Sequence, residues 1–162
     1  MYGVGDKVVH PMHGAGVIGG ITQEKLNGRC CTYYVFKMYM DDLVLKIPEE
    51  SCGRIGMRPP ATAEELERVL AQIPGIGVAM EANWNQRCRE NKERVKSGDL
   101  YEVALVVKGL MYRDRERGLS HIERKMLRSA RQILLSEMAM VQGVSYGEAE
   151  QRLDALMTAG VE

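Results

Sequence analysis

The sequence predicts an α+β protein in two domains: a small SH3- or Tudor-like β-barrel, then an all-α domain of about five helices. Three observations carry this prediction. Residues 1–58 hold short alternating apolar segments punctuated by turn residues, the pattern of a compact barrel. Pro59 and Pro60 then disfavour both helix and central strand. Beyond them, five cap residues are each followed three positions later by Glu or Gln, and each such pair opens a helical pattern. The division is residues 1–58 as barrel, 59–61 as proline-rich linker and 62–162 as helical domain.

The strands follow in order. Lys7–His10 forms a short strand after the turn Gly3-Val4-Gly5-Asp6, and Gly14–Ile18 begins a second, with Gly19-Gly20 as a bulge or tight bend. Asn27-Gly28 marks a hairpin, because both residues tolerate positive φ. Thr32–Met40 alternates as a main strand with Tyr34, Phe36, Met38 and Met40 on one face. Asp41-Asp42 turns the chain into Leu43–Ile47, where Leu43, Leu45 and Ile47 share a face. Gly53-Arg54-Ile55-Gly56 is a candidate fifth, closing strand.

The cap pairs are Thr62/Glu65, Asn83/Gln86, Asp99/Glu102, Ser120/Glu123 and Ser145/Glu148, which place helices over 62–73, 83–96, 99–117, 120–142 and 145–159. The third is apolar around most of its girth, through Val103, Ala104, Leu105, Val106, Val107, Leu110 and Met111. In the fourth, Ile122, Met126, Ala130 and Ile133 outline an apolar stripe, while Arg124, Arg128 and Arg131 align on another face. Arg89, Lys92 and Lys96 form a comparable basic row on the second. Most of the methionines, among them Met80, Met111, Met126 and Met138, fall where gap-filling core residues are expected.

Lys plus Arg and Asp plus Glu balance at 22 each, so the total charge is silent about nucleic acid. The distribution is not. From Trp84 to Arg131 there are 13 Lys/Arg against 7 Asp/Glu, whereas from Leu134 onward Arg152 stands against Glu137, Glu148, Glu150, Asp154 and Glu162. A basic middle can attract phosphate even in a neutral chain. No signal peptide or membrane-spanning run is visible, so a cytoplasmic protein is expected. Cys30, Cys31, Cys52 and Cys88 lack metal or redox spacing and read as reduced structural thiols. With no Gly-rich phosphate loop, HExxH or GxSxG pattern, no enzyme, metal or cofactor is expected.

Asn83-Trp84-Asn85-Gln86-Arg87-Cys88-Arg89 puts the only tryptophan in the first turn of a basic helix. Core packing is the ordinary fate of a tryptophan. A ring at a helix head beside arginines also suits an apolar wedge at a nucleic-acid groove, with the cations on phosphate.

Taken in order, these segments resemble the CarD/CdnL family of bacterial transcription regulators over nearly the whole chain. The anchors are Val4-Gly5-Asp6, Val8-Val9-His10-Pro11-Met12-His13-Gly14, Leu45-Lys46-Ile47-Pro48, Asn83-Trp84 through Ser97-Gly98-Asp99, and Arg113 through Ser120 with the run to Leu134. The first half is also similar to the polymerase-interacting module of transcription-repair coupling factor, without a helicase motor after it.

The resemblance implies a Tudor-like domain that binds the RNA polymerase β subunit, with Lys25, Val44 and Lys46, on the outward side of the barrel, as the contact candidates here. It implies a helical domain on promoter DNA, with Trp84 wedged into the minor groove beside the −10 element and Arg87, Arg89, Arg124 and Arg128 on the backbone. The outcome would be a longer-lived open complex without sequence-specific reading, from a monomer that is nucleoid-associated through polymerase. Three positions depart from the family pattern. Gln86 and Glu24 stand where relatives often carry a basic residue, and Lys46 replaces a common arginine, keeping the charge without the bidentate fork. The alternative is a protein-interaction adaptor, with the helices as a docking or dimerisation platform.

Overall fold

The structure is a computed structural model, and it describes residues 1–159. Four antiparallel strands, β1 (Lys7–His10), β2 (Gly14–Leu26), β3 (Arg29–Met38) and β4 (Val44–Pro48), form one curled sheet in chain order. Asn27 and Gly28 both take positive φ at the β2–β3 hairpin, 52° and 78°, as a two-residue turn between right-twisted strands requires. The β2–β3 register shifts between Ile18 and Gly20, at the expected bulge. Val8, Ile18, Tyr34, Phe36 and Ile47 fill the inside of the curl, with Leu45 and Met38 packed against them. Leu43 lies just before β4 and is exposed.

The expected fifth strand is a helix. Cys52–Ile55 forms a single turn, α1, ended by Gly56 in the left-handed conformation at φ 95°. It seats the buried Cys52 against the inside of the curl. The outer edge of β1 is instead partly closed by Arg58, which exchanges two backbone hydrogen bonds with Val9 at 2.7 and 3.1 Å. The other edge, β4, pairs with β3 alone.

Five longer helices follow: α2 (Ala63–Gln72), α3 (Trp84–Lys96), α4 (Leu100–Glu116), α5 (His121–Gln142) and α6 (Tyr146–Thr158). Each N-cap side chain, from Thr62, Asn83, Asp99, Ser120 and Ser145, accepts from the backbone N–H three residues on. Each such cap is worth about 1 kcal/mol and fixes where its helix starts. α4 is the central staff of the helical core, packed against α2, α3 and α5, with Val103, Ala104, Val106, Val107 and Leu110 buried. Lys108, on the same helix, is buried too; its Nζ donates to the Ile73 and Pro74 carbonyls at 2.8 and 3.0 Å.

Sheet and helices meet along α5. Gly14, at φ 87°, lets β2 approach so closely that a Cβ there would collide with Ser136 Oγ. Ala15 N donates to that hydroxyl at 2.9 Å, and Val9, Ala15 and Met140 share a small apolar contact. The seam itself is pinned. Arg58 makes a two-pronged ion pair with fully buried Glu137, at 2.9 and 2.6 Å, and Glu137 also accepts from Ala61 N at 2.8 Å.

Candidate nucleic-acid and polymerase contacts

Two helix starts converge beneath Trp84. The residue is N1 of α3, fixed there by Asn83, whose Oδ1 accepts from Gln86 N at 3.0 Å. Its side chain is 41% exposed, against near-complete burial for the core residues, so it is no part of the core. The indole Nε1 donates to Ser120 Oγ, the N-cap of α5, at 3.1 Å. The positive ends of both helix dipoles therefore lie close to the ring.

Below the ring, α3 and α5 are bolted together by Arg87 and Glu123, each 3% exposed at the side chain. Arg87 Nε and one terminal nitrogen donate to the two carboxylate oxygens at 2.8 and 3.2 Å. Its other terminal nitrogen donates to the Glu81 and Ala82 carbonyls, both at 3.1 Å. Burial pushes the Glu123 carboxyl up, but hydrogen bonds from Arg87 and Ser120 outweigh it and hold it below the usual carboxylate range. Its hydrogen bond to Glu123 likewise raises the pKa of the Arg87 guanidinium.

This corrects the expectation for Arg87. The residue is a buried strut whose guanidinium is committed to protein oxygens, so it is not a phosphate-binding group. The Arg87–Glu123 pair removes one cation and one acid and so leaves the segment's excess of cations unchanged, but two further cations of the segment are also taken up by protein oxygens. Arg131 turns to Asp154 and Glu150 on α6, at 2.6 and 3.2 Å, and so leaves the Arg124–Arg128 row. Lys108 is buried on carbonyls.

On α3 and α5 the exposed cations are Arg89, Lys92, Lys96, Arg124, Lys125 and Arg128, none of them in an ion pair among the described residues. Gln86 directs its amide along the helix to Glu90 at 3.2 Å. Ile122, expected in the apolar stripe, is 53% exposed two residues past the Ser120 cap. It and Trp84 are the two large apolar side chains most open to solvent in the described helical region. Met126, Ala130 and Ile133 do turn inward.

On the sheet, strand register sorts the other candidates. Val44 pairs with Lys37 and Lys46 with Val35, so both share the outer face with those odd-numbered β3 residues. Lys25 pairs with Cys30, which has the parity of the inward Tyr34 and Phe36. Lys25 therefore belongs to the opposite face from Val44 and Lys46, a correction to the expected trio. The outer face carries Glu24 in its place, and Glu24 forms an ion pair with Lys46 across β3, the side chains 45% and 55% exposed.

Two residues of the site are not identifiable as site elements from the sequence. Ser120 and Glu123 were legible only as a helix start, and the hydroxyl's second role depends on α3 lying beside it. The face of Lys25 was available from the Asn27-Gly28 turn, which fixes the pairing of Leu26 with Arg29 and hence of Lys25 with Cys30.

Two family models match the chain. The "CarD, C-terminal domain" model covers residues 68–154, and the "CarD-like/TRCF RID domain" model covers residues 2–60. The Bacillus subtilis (strain 168) protein "Putative transcription factor YdeB" is 30% identical over 145 residues, which span 90% of this chain and 95% of that protein.

Proposed function

This chain belongs to the CarD family, and on that premise we propose that it is a transcription regulator that binds RNA polymerase and prolongs the promoter open complex. The outer face of the sheet, with Val44 and Lys46, meets the β subunit. The helical region lies on promoter DNA at the upstream edge of the bubble, where Trp84 enters the minor groove and Arg89, Arg124 and Arg128 contact the backbone. The observation that carries this reading is the exposed Trp84, held where two helix N-termini meet and flanked on both helices by cations with no ion-pair partner among the described residues.

Physical magnitudes support the division of labour. A few phosphate contacts give non-specific affinities of about 10⁻⁴–10⁻⁶ M that fall steeply with salt. Such a surface does not find promoters alone. Tethering to polymerase makes the DNA contact intramolecular, at an effective concentration on the order of millimolar. Once there, a differential stabilisation of about 1.4 kcal/mol shifts the open/closed ratio roughly tenfold. On the polymerase side, β4 is a sheet edge with half-exposed Val44, a surface open to a protein partner.

Two variants separate tether from wedge. Lys46→Glu should weaken binding to the β subunit while leaving the helical region folded. Trp84→Ala should keep polymerase affinity and lose the effect on transcription. Unchanged affinity in Lys46→Glu removes Lys46 from the interface. A folded wild-type protein that does not bind polymerase supports the adaptor reading instead.

A further inference from the structure

The Trp84 ring is exposed, yet its one polar atom is not free. Nε1–H is donated to Ser120 Oγ at 3.1 Å. That hydroxyl also accepts from Glu123 N at 3.2 Å and donates to Glu123 Oε1 at 3.1 Å. Two bonds accepted and one donated exhaust what a serine hydroxyl offers. Glu123 is in turn clamped by Arg87, and Arg87 reaches the Glu81 and Ala82 carbonyls, just upstream of the Asn83 cap. The chain of bonds thus runs from the indole through Ser120, Glu123 and Arg87 back to the backbone that carries the indole.

We propose that Ser120 is the positioning residue of Trp84. It fixes the ring's orientation before DNA arrives and turns its only hydrogen-bonding atom toward protein, so that the outward face is purely apolar. This deepens the wedge reading and rests on it. A half-exposed ring with no such anchor samples several rotamers, and ordering it on binding offsets part of the contact's gain. An apolar edge also favours stacking, which every base step accepts, over hydrogen bonding to particular bases.

The protein has one tryptophan, so its emission reports this residue alone. Time-resolved fluorescence anisotropy of the free protein measures the ring's local motion, and open-complex lifetime measures the consequence. Ser120→Gly removes the acceptor yet keeps an acceptable N-cap, since glycine is among the residues favoured at that position. It should increase fast local depolarisation of Trp84 and shorten the lifetime severalfold relative to wild type. Ser120→Thr, which keeps hydroxyl and cap, should restore both.

Trp84→Phe removes the same bond from the other side and leaves the cap untouched. It should lose part of the lifetime effect, and adding Ser120→Gly should cost no more. Wild-type anisotropy and lifetime in Ser120→Gly, or a full effect in Trp84→Phe, would overturn the positioning role while leaving the wedge in place. A Trp84→Ala protein with wild-type lifetime overturns the wedge and the positioning role together.

Discussion

The two surfaces that the proposed function assigns to partners are built to opposite specifications. Under Trp84 the charges are buried and mutually committed: Arg87 and Glu123 are closed to water and joined by two hydrogen bonds. On the sheet, Lys46 and Glu24 pair in the open, each about half exposed. The difference follows the chemistry of what each surface meets in the proposed function. A DNA backbone gives a partner little directional information, so the ring must be aimed in advance by its own scaffold. A protein partner brings shaped side chains of its own, and an exposed ion pair can open to receive them at little cost. The seam at Arg58–Glu137 belongs with the first kind, and it holds the two surfaces in a set relation.

The largest effect should come from breaking the buried pair. Glu123→Ala strands Arg87 without a counter-charge and should destabilise the helical region by about 3–5 kcal/mol. Chemical denaturation followed by Trp84 emission measures it, and a loss below about 1 kcal/mol would place that pair in the same class as the exposed one. Glu137→Ala at the seam should cost less, about 2–3 kcal/mol, because Arg58 is 24% exposed and water can reach it. Its distinctive sign is a loosened sheet–helix contact, seen as faster hydrogen exchange at Ala15 and Ala61 while α4 stays protected.

Acid should separate the two regions further. Burial, with the nearby His13 ring, lowers the pKa of the His10 imidazole to about 4, and its Nδ1 accepts from the Met12 and His13 amides at 3.0 and 3.3 Å. The folded state therefore binds this proton later than the unfolded chain does. This group costs no stability above about pH 6.5, an increasing amount as the unfolded imidazole charges, and a constant amount below about pH 4, where both states are protonated. Glu123 behaves differently. Its folded pKa lies below the unfolded value, so its contribution is intact above the ordinary carboxylate range and is lost only as pH falls through the folded value. Between pH 7 and 5 the sheet should lose on the order of 1–2 kcal/mol, and a His10→Asn variant should show a flatter dependence. Equal softening of both regions in wild type and variant would contradict this.

The smallest effect on stability should be at the exposed pair. Glu24→Gln should change folding by less than about 0.5 kcal/mol. It should nonetheless alter polymerase affinity, because it releases Lys46. An unchanged affinity would show that the pair is ornamental to docking.

What could be read from the sequence was what is local. Five helix starts were legible because a cap and its partner sit three residues apart, and the β2–β3 hairpin because Asn27 and Gly28 declare their own backbone conformation. The family match was legible for a similar reason, since its anchors are contiguous. What failed needed tertiary neighbours. Arg87 and Arg131 looked like free cations until α5 and α6 supplied their carboxylates, and Ile122 looked like core although it sits in the exposed first turn of α5. Gly53–Gly56 looked like a strand, yet closing the curl required a turn that could seat Cys52 beneath the sheet. Glu162, counted in the acidic tail, lies outside the described residues.

The most direct test is the lifetime of the open complex on one promoter, with bacterial RNA polymerase and a competitor challenge, in the absence of the protein and with wild type or Trp84→Ala. Trp84→Ala should stay folded, since the side chain is 41% exposed. The account predicts a longer lifetime with wild type and a lifetime near the protein-free value with Trp84→Ala. Equal extension by both proteins would contradict the wedge and leave only the tether.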